Sequence, residues 1–205
     1  IFKSYTNFRN SHFYGNASFL MSTFEDEVNF DHVIFNWTDF GSAKFNGRLY
    51  FKETIFLEPT FFKSTIFNSY IYFNPSCINS AITFEEATFD SGIFCTKNIQ
   101  GSLIIRSLCK VVHSLRFSDS QLDNFNFLNT DMTNIHFMHC AWPKEKDERK
   151  CFWRFCWPKI QRYCIEAKDG LKNLEEIKDF YQRMKRKYKQ EHNEIEVSRW
   201  HLAEK

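Results

Sequence analysis

Large apolar residues in the first half of this chain follow neither a helical nor a strand spacing. Phe stands at positions 8, 13, 19, 24, 30, 35, 40, 45, 51, 56, 62, 67, 73, 84, 89 and 94, in steps of five or six residues or their sum of eleven. An amphipathic helix would place apolar residues three and four apart, and a half-buried strand would place them at every second position. Two residues before most of these rings stands a small or β-branched side chain: Ala17, Val28, Val33, Thr38, Ala43, Thr54, Thr65, Ile71, Ile82 or Ala87. Residues two apart in extended backbone point the same way, so ring and small residue face inward together. The polar residue between them, such as Ser18, Asn29, Asp39, Lys44 or Thr88, then faces water. Turn formers follow the rings, as in Asn46-Gly47, Asn68-Ser69 and Asp90-Ser91. The pattern therefore predicts short inward-facing stretches separated by corners, repeated many times along one axis.

The units read Ala-Ser-Phe-Leu-Met from Ala17, Ala-Lys-Phe-Asn-Gly from Ala43, Thr-Ile-Phe-Asn-Ser from Thr65 and Ala-Thr-Phe-Asp-Ser from Ala87. Between Ile99 and Leu115 the pattern loosens, with Leu103, Ile105, Leu108 and Val112 in place of Phe, and a short inserted helix is an alternative there. It resumes at Phe117, Leu122, Phe127, Met132 and Phe137, in units such as Gln-Leu-Asp-Asn-Phe and Thr-Asp-Met-Thr-Asn. This spacing resembles the bacterial pentapeptide-repeat family, whose unit is a small residue, a polar residue, a central Leu or Phe and two further polar positions. The resemblance implies a mainly β fold over residues 1–142: a right-handed quadrilateral β-helix with four units per coil and stacked Phe inside. The six-residue steps imply wider turns at some corners. About seven coils are expected, roughly 30 to 35 Å tall at the spacing of paired strands.

After Trp142-Pro143 the composition becomes charged and aromatic, so residues 143–205 are expected to form a separate aromatic cap and basic helical hairpin. Trp153, Phe155 and Trp157 cluster in a short segment and would cover the open end of the coil, or else bind a partner. Leu171, Leu174, Ile177, Phe180, Tyr181, Met184 and Tyr188 fall at three- and four-residue spacings and predict a helix as far as His192. Asn193 is its expected stop, and Ile195 to Leu202 a second short helix. The segment is similar to the Tyr-rich basic helices that follow the repeats in some bacterial pentapeptide-repeat proteins, a subset of which continue into transmembrane helices. Its cluster Arg183, Lys185, Arg186, Lys187 and Lys189 is either a solvated face or a contact for an anionic membrane surface.

Composition sharpens this picture. Phe accounts for 25 of 205 residues while Gly numbers 6 and Pro 4, which favours a regular structure reusing one core residue over a loop-rich enzyme. Seven Cys at irregular spacing give no disulfide framework, so free thiols in a reducing, cytoplasmic compartment are expected. Ile rather than Met stands first, as in a processed or excerpted chain, and no run of 18 apolar residues occurs. The net charge of +2 hides an asymmetry: residues 1–142 hold 10 Lys/Arg against 13 Asp/Glu, and residues 143–205 hold 17 against 12.

No P-loop, dinucleotide fingerprint, HExxH or nucleophile elbow is present, and neither a catalytic residue, a cofactor nor a metal is expected. His139, Cys140, Cys151 and Cys156 form a zinc set only with unusual spacing, and core thiols are the simpler reading. His113 and His136 lack an orienting carboxylate motif, and Glu25-Asp26-Glu27 and Glu85-Glu86 read as solvated corners. The expected function is a non-enzymatic protein-interaction or scaffold module with a protein partner, as the soluble part of a membrane-associated bacterial protein. A homodimer is kept open. The alternative is a DNA-mimicking inhibitor of a type II topoisomerase, which needs a far more negative rod than a net −3 over 142 residues. Binding to nucleic acid itself is not expected.

Overall fold

The computed structural model describes residues 1–97, 100–104, 109–122, 125–127, 130–142 and 174–204. The chain divides into two units, Ile1–Ala141 and Trp142–Lys205.

The first unit is a parallel β-solenoid. Its register is read along one wall, where Thr6, Val28, Leu49, Ile71, Gly92, Leu115 and Ile135 lie one above another. Seven rungs bound about six turns of 20 to 23 residues, one turn fewer than the repeat count suggested. Six spacings of paired strands make a stack of about 29 Å. Four walls follow one another in each turn. The second holds His12–Phe13, Ile34–Phe35, Ile55–Phe56 and Cys77–Ile78, and the third runs from Ala17–Ser18 through Thr38–Asp39, Thr60–Phe61, Ala81–Thr83 and Ser102–Ile104 to Phe125–Asn126. The fourth begins at Thr23–Phe24 and Lys44–Phe45, then merges with the first because Ile66–Asn74, Thr88–Phe94 and Lys110–Ser118 run round their shared corner as single strands.

One turn shows why the sequence folds this way. Val28 to Gly47 reads as four successive units, each placing a small residue and a ring inside: Val28 with Phe30, Val33 with Phe35, Thr38 with Phe40, and Ala43 with Phe45. All eight are buried. Each ring lies parallel to its counterpart one turn away. Phe40 stacks on Phe19 at 4.9 Å and on Phe62 at 4.8 Å, and Phe24 on Phe45 at 4.9 Å with their planes 1° apart. Within the cross-section rings meet edge to face, as Phe30 meets Phe40 at 68° and Phe35 meets Phe40 at 84°. Both geometries suit the ring quadrupole, and the stacked spacing matches the strand spacing that the backbone already imposes. Two buried threonines bond across turns: Thr54 Oγ1 donates to Phe30 O at 2.9 Å and Thr65 Oγ1 to Phe40 O at 2.8 Å, each from the following turn.

The two step lengths fall at different corners. Five-residue steps after the first and third walls are tight turns in which the third residue has positive φ: Asn10, His32 and Glu53 on one corner, Met21, Ser42, Ser64 and Glu86 on the other. Val33 N donates to Phe30 O at 3.3 Å and Ala43 N to Phe40 O at 3.0 Å, the closure of a type II arrangement. Left-handed backbone costs about 1 kcal/mol or more for these residues. Asn10, Met21, His32, Ser42, Glu53 and Ser64 are each held by a hydrogen bond to the next turn, such as His32 N to Lys52 O at 2.8 Å and Ser42 N to Lys63 O at 2.8 Å. The six-residue steps fall on the other two corners, where Phe35 to Phe40 and Phe89 to Phe94 are the five-residue exceptions. Where a five-residue step replaces one, from Phe89 to Phe94, the register slips beside Phe67 and Tyr70 below it and beside Ser114 above.

Past Ile99 the strands Ser102–Ile104 and Lys110–Ser118 continue the same walls, and Ile105 and Leu108 lie outside the described residues. Val111 pairs with Phe89 and is buried, whereas Val112 is 45% exposed. The expected inward position thus belongs to Val111, because parallel register carries the column of Phe67 and Phe89 onto it. Leu122, Phe127 and Met132 are buried as the resumed pattern requires.

In the second unit, α1 (Leu174–Gln190) and α2 (Glu194–Glu204) are joined by three residues. His192 takes φ of 55°, its N–H donates to Lys189 O, and Asn193 N donates to Tyr188 O, which is a Schellman stop for α1. Asn193 also starts α2, its side chain accepting from Glu196 N at 3.2 Å. Trp200 returns to Phe180 and Tyr181, with ring centroids 5.9 Å from each, and meets Trp142 edge-on at 4.9 Å.

Candidate interaction surfaces

With the interior filled by rings, the side chains open to contact stand on the walls and corners. On the first wall the outward residues fall in register: Asn7, Asn29, Tyr50, Tyr72, Ile93, Arg116 and His136 form one row along the axis. The middle of this row departs from the polar rule of the repeat. Tyr50, Tyr72 and Ile93 are half-buried against one another's rungs, and Tyr70 lies 37% exposed beside them. Burial raises the Tyr70 hydroxyl above its ordinary value, and the nearby Arg116 charge opposes that shift. Arg48 and Arg116 are exposed at diagonal ends of the patch, and no carboxylate among the described residues forms an ion pair with either. Lys52, on the flank, lies 3.9 Å from Glu53. Sequence reading passed over this patch. Its signal is the Tyr between two inward residues in both Leu49–Phe51 and Ile71–Phe73, which becomes a row only once the register is known.

Corners carry polar contacts between turns. Asn68 Nδ2 donates to Asn46 Oδ1 at 2.9 Å and Asn46 Nδ2 to Glu25 Oε2 at 2.7 Å, so Glu25 belongs to a ladder. Asp90 does face His113, at 2.7 Å, giving that ring the carboxylate partner its local sequence lacks. His32 stands 3.3 Å from Glu53, and His139 stands 3.8 Å from Asp119. Burial pushes the Cys95 and Cys140 thiols up, with hydrogen bonding at the Ser120 and Met138 backbone opposing it for Cys140. Among the described residues no three His, Cys, Asp or Glu side chains gather as a metal site, and Cys151 and Cys156 lie outside them.

Trp153 and Trp157 also lie outside the described residues. The basic cluster is on α1 but is divided between its faces. Lys187 is 8% exposed and bonds Glu191 at 2.9 Å, and Arg183 meets Asp179 at 3.0 Å. Arg186 and Lys189 are exposed and Lys185 half-exposed, on the side away from buried Phe180, Met184 and Tyr188. No helix of the described residues is long and apolar enough to cross a membrane.

Residues 1–44 match the family model described as pentapeptide repeats (9 copies). No curated protein and no solved structure matches the chain. Proteins built on such repeats are commonly non-enzymatic repeat modules. The matched segment forms the first two turns, and the same Phe-centred unit stacks onward in register through residue 141, a parallel β-solenoid consistent with a pentapeptide-repeat β-helix.

Proposed function

We propose that this protein is a non-enzymatic interaction scaffold, in which the solenoid presents fixed rows of side chains and the helical pair recruits it to a partner or to an anionic membrane surface. The observation behind this reading is the in-register stacking of all four walls. It spends the interior on rings and holds outward residues at a constant spacing, a geometry suited to recognition by an extended surface. Division of the chain into two units, with net charges near −3 and +5 over 1–142 and 143–205, supports separate tasks for them. Trp153 and Trp157, and the Arg186 and Lys189 side of α1, are the proposed docking residues of the second segment. The test is deletion of residues 171–205. Recruitment, followed by co-fractionation of the tagged chain with its partner or with membranes, should be lost while the β signature in circular dichroism persists. Unchanged recruitment overturns the assignment of docking to the helices. A gyrase supercoiling assay separates this reading from DNA mimicry, with no inhibition expected at low protein concentration.

A further inference from the structure

The Tyr and Arg patch on the first wall is the one place among the described residues where an aligned row of the solenoid turns aromatic and apolar side chains outward between unanswered charges of one sign. Tyr50, Tyr70 and Tyr72 sit on strands whose backbone is fixed by pairing on both sides, so little order has to be gained on binding. Tyr and Arg together are the side chains enriched where protein partners meet, because each offers apolar area and a directed polar end. The rungs of Leu49 and Leu115 are three apart, so Arg48 and Arg116 are separated by about 14 Å along the axis. An extended peptide advances about 13 Å over four residues and turns positions i, i+2 and i+4 to one side. Two carboxylates four residues apart, with an aromatic or large apolar residue between them, would therefore meet both guanidinium groups and lay the middle side chain on Tyr72 and Ile93.

Resting on the interaction reading above, we infer that the first wall binds an extended acidic segment of a partner protein with the pattern acidic, any, aromatic, any, acidic. Guanidinium groups favour such a partner because they pair carboxylates through two parallel hydrogen bonds. Neither Glu27 nor Asp31 on the same wall stands between the two arginines in the register.

The experiment uses the full chain and a fluorescein-labelled peptide containing Glu-Ser-Phe-Ser-Glu, read by fluorescence anisotropy, with the Gln-Ser-Phe-Ser-Gln peptide as comparison. Arg48→Glu and Arg116→Glu are solvent-facing changes whose fold is checked by circular dichroism and melting. Either reversal should weaken binding about fivefold and the pair should abolish it, while added salt weakens the wild-type complex. Tyr72→Ser should weaken it about tenfold. Equal affinity for the Gln peptide, or unchanged affinity in the double reversal, overturns the inference. So does finding that the double reversal instead removes binding to phosphatidylserine vesicles or a concentration-dependent dimer in sedimentation, with no effect on the peptide. Failure of the peptide alongside intact recruitment by the full chain strikes this wall only. Loss of recruitment without any loss of peptide binding strikes the role of the helices instead.

Discussion

Phe40 shows how much one position in the repeat is asked to do. Its ring is fully buried, stacked by Phe19 and Phe62 and met edge-on by Phe30, Phe35 and Phe51. Removing it takes away contacts on every side, and the neighbouring rungs cannot collapse into the space because their spacing is set by backbone pairing. Phe40→Ala should cost about 3 to 5 kcal/mol in denaturant unfolding. Phe40→Leu should cost about 1 to 2 kcal/mol, since it keeps much of the volume. A loss below 1 kcal/mol for the alanine variant would mean that the ring column contributes little. Glycine gives a sharper contrast at constant chemistry. A Cβ on Gly47 would stand 2.3 Å from the Asp26 carbonyl carbon, a backbone atom of the adjacent turn, whereas one on Gly15 would meet nothing within 4 Å. Gly47→Ala should therefore destabilise by about 2 kcal/mol or more, and Gly15→Ala should stay within about 0.5 kcal/mol of wild type. The raised thiols of Cys95 and Cys140 give a pH test with a definite sign. The native chain holds these protons longer than the unfolded one, so their alkylation by iodoacetamide should inflect above the ordinary thiol range and shift back on denaturation. Whatever stability they lend is present below the unfolded thiol's value and is lost as pH climbs towards the folded one.

At the scale of the element, the tight corners store strain that the straight walls do not. Met21 has φ of 56° and is 74% exposed, so its side chain contributes little packing to set against the left-handed backbone. Met21→Gly should leave stability unchanged or raise it by up to about 1 kcal/mol in a thermal melt, whereas a glycine in the adjoining wall at Thr23 should lower it. A loss of more than 1 kcal/mol at Met21 would remove strain as the account of that corner. These corners also show what could be read from sequence and what could not. Step lengths of five and six were visible, and so were the inward pairs, because side-chain alternation is local. Their sorting onto opposite corners was not, since it depends on which residue of the next turn accepts each corner N–H. The same blindness put Val112 inside in place of Val111: two adjacent β-branched residues satisfy the pattern equally, and only pairing with Phe89 chooses between them. In the helices the periodicity located α1 and its end, but a charge count saw five basic residues as one surface. Lys187 pairs with Glu191 on a buried flank, a distinction that needs the tertiary packing of α1 rather than composition.

For the whole solenoid, each turn touches only the turns above and below it, so energy should propagate by neighbours. Phe40 and Phe62 share a stacked contact at 4.8 Å, and the loss of either leaves the other with one bare face. Phe24 and Phe94 are three turns apart and share no contact. A double-mutant cycle between Phe40→Leu and Phe62→Leu should thus show a coupling of about 0.5 to 1 kcal/mol, while Phe24→Leu with Phe94→Leu should be additive within about 0.3 kcal/mol. Hydrogen exchange gives the same test without a cycle: a lesion at Phe40 should lower protection in the turns of Phe19 and Phe62 and leave the amides around Phe117 at their wild-type rates. If protection falls evenly from end to end, the unit unfolds as one cooperative body and the neighbour account fails. That outcome would matter for function as well, because a surface row along the axis stays fixed under local damage only when its rungs can fail separately.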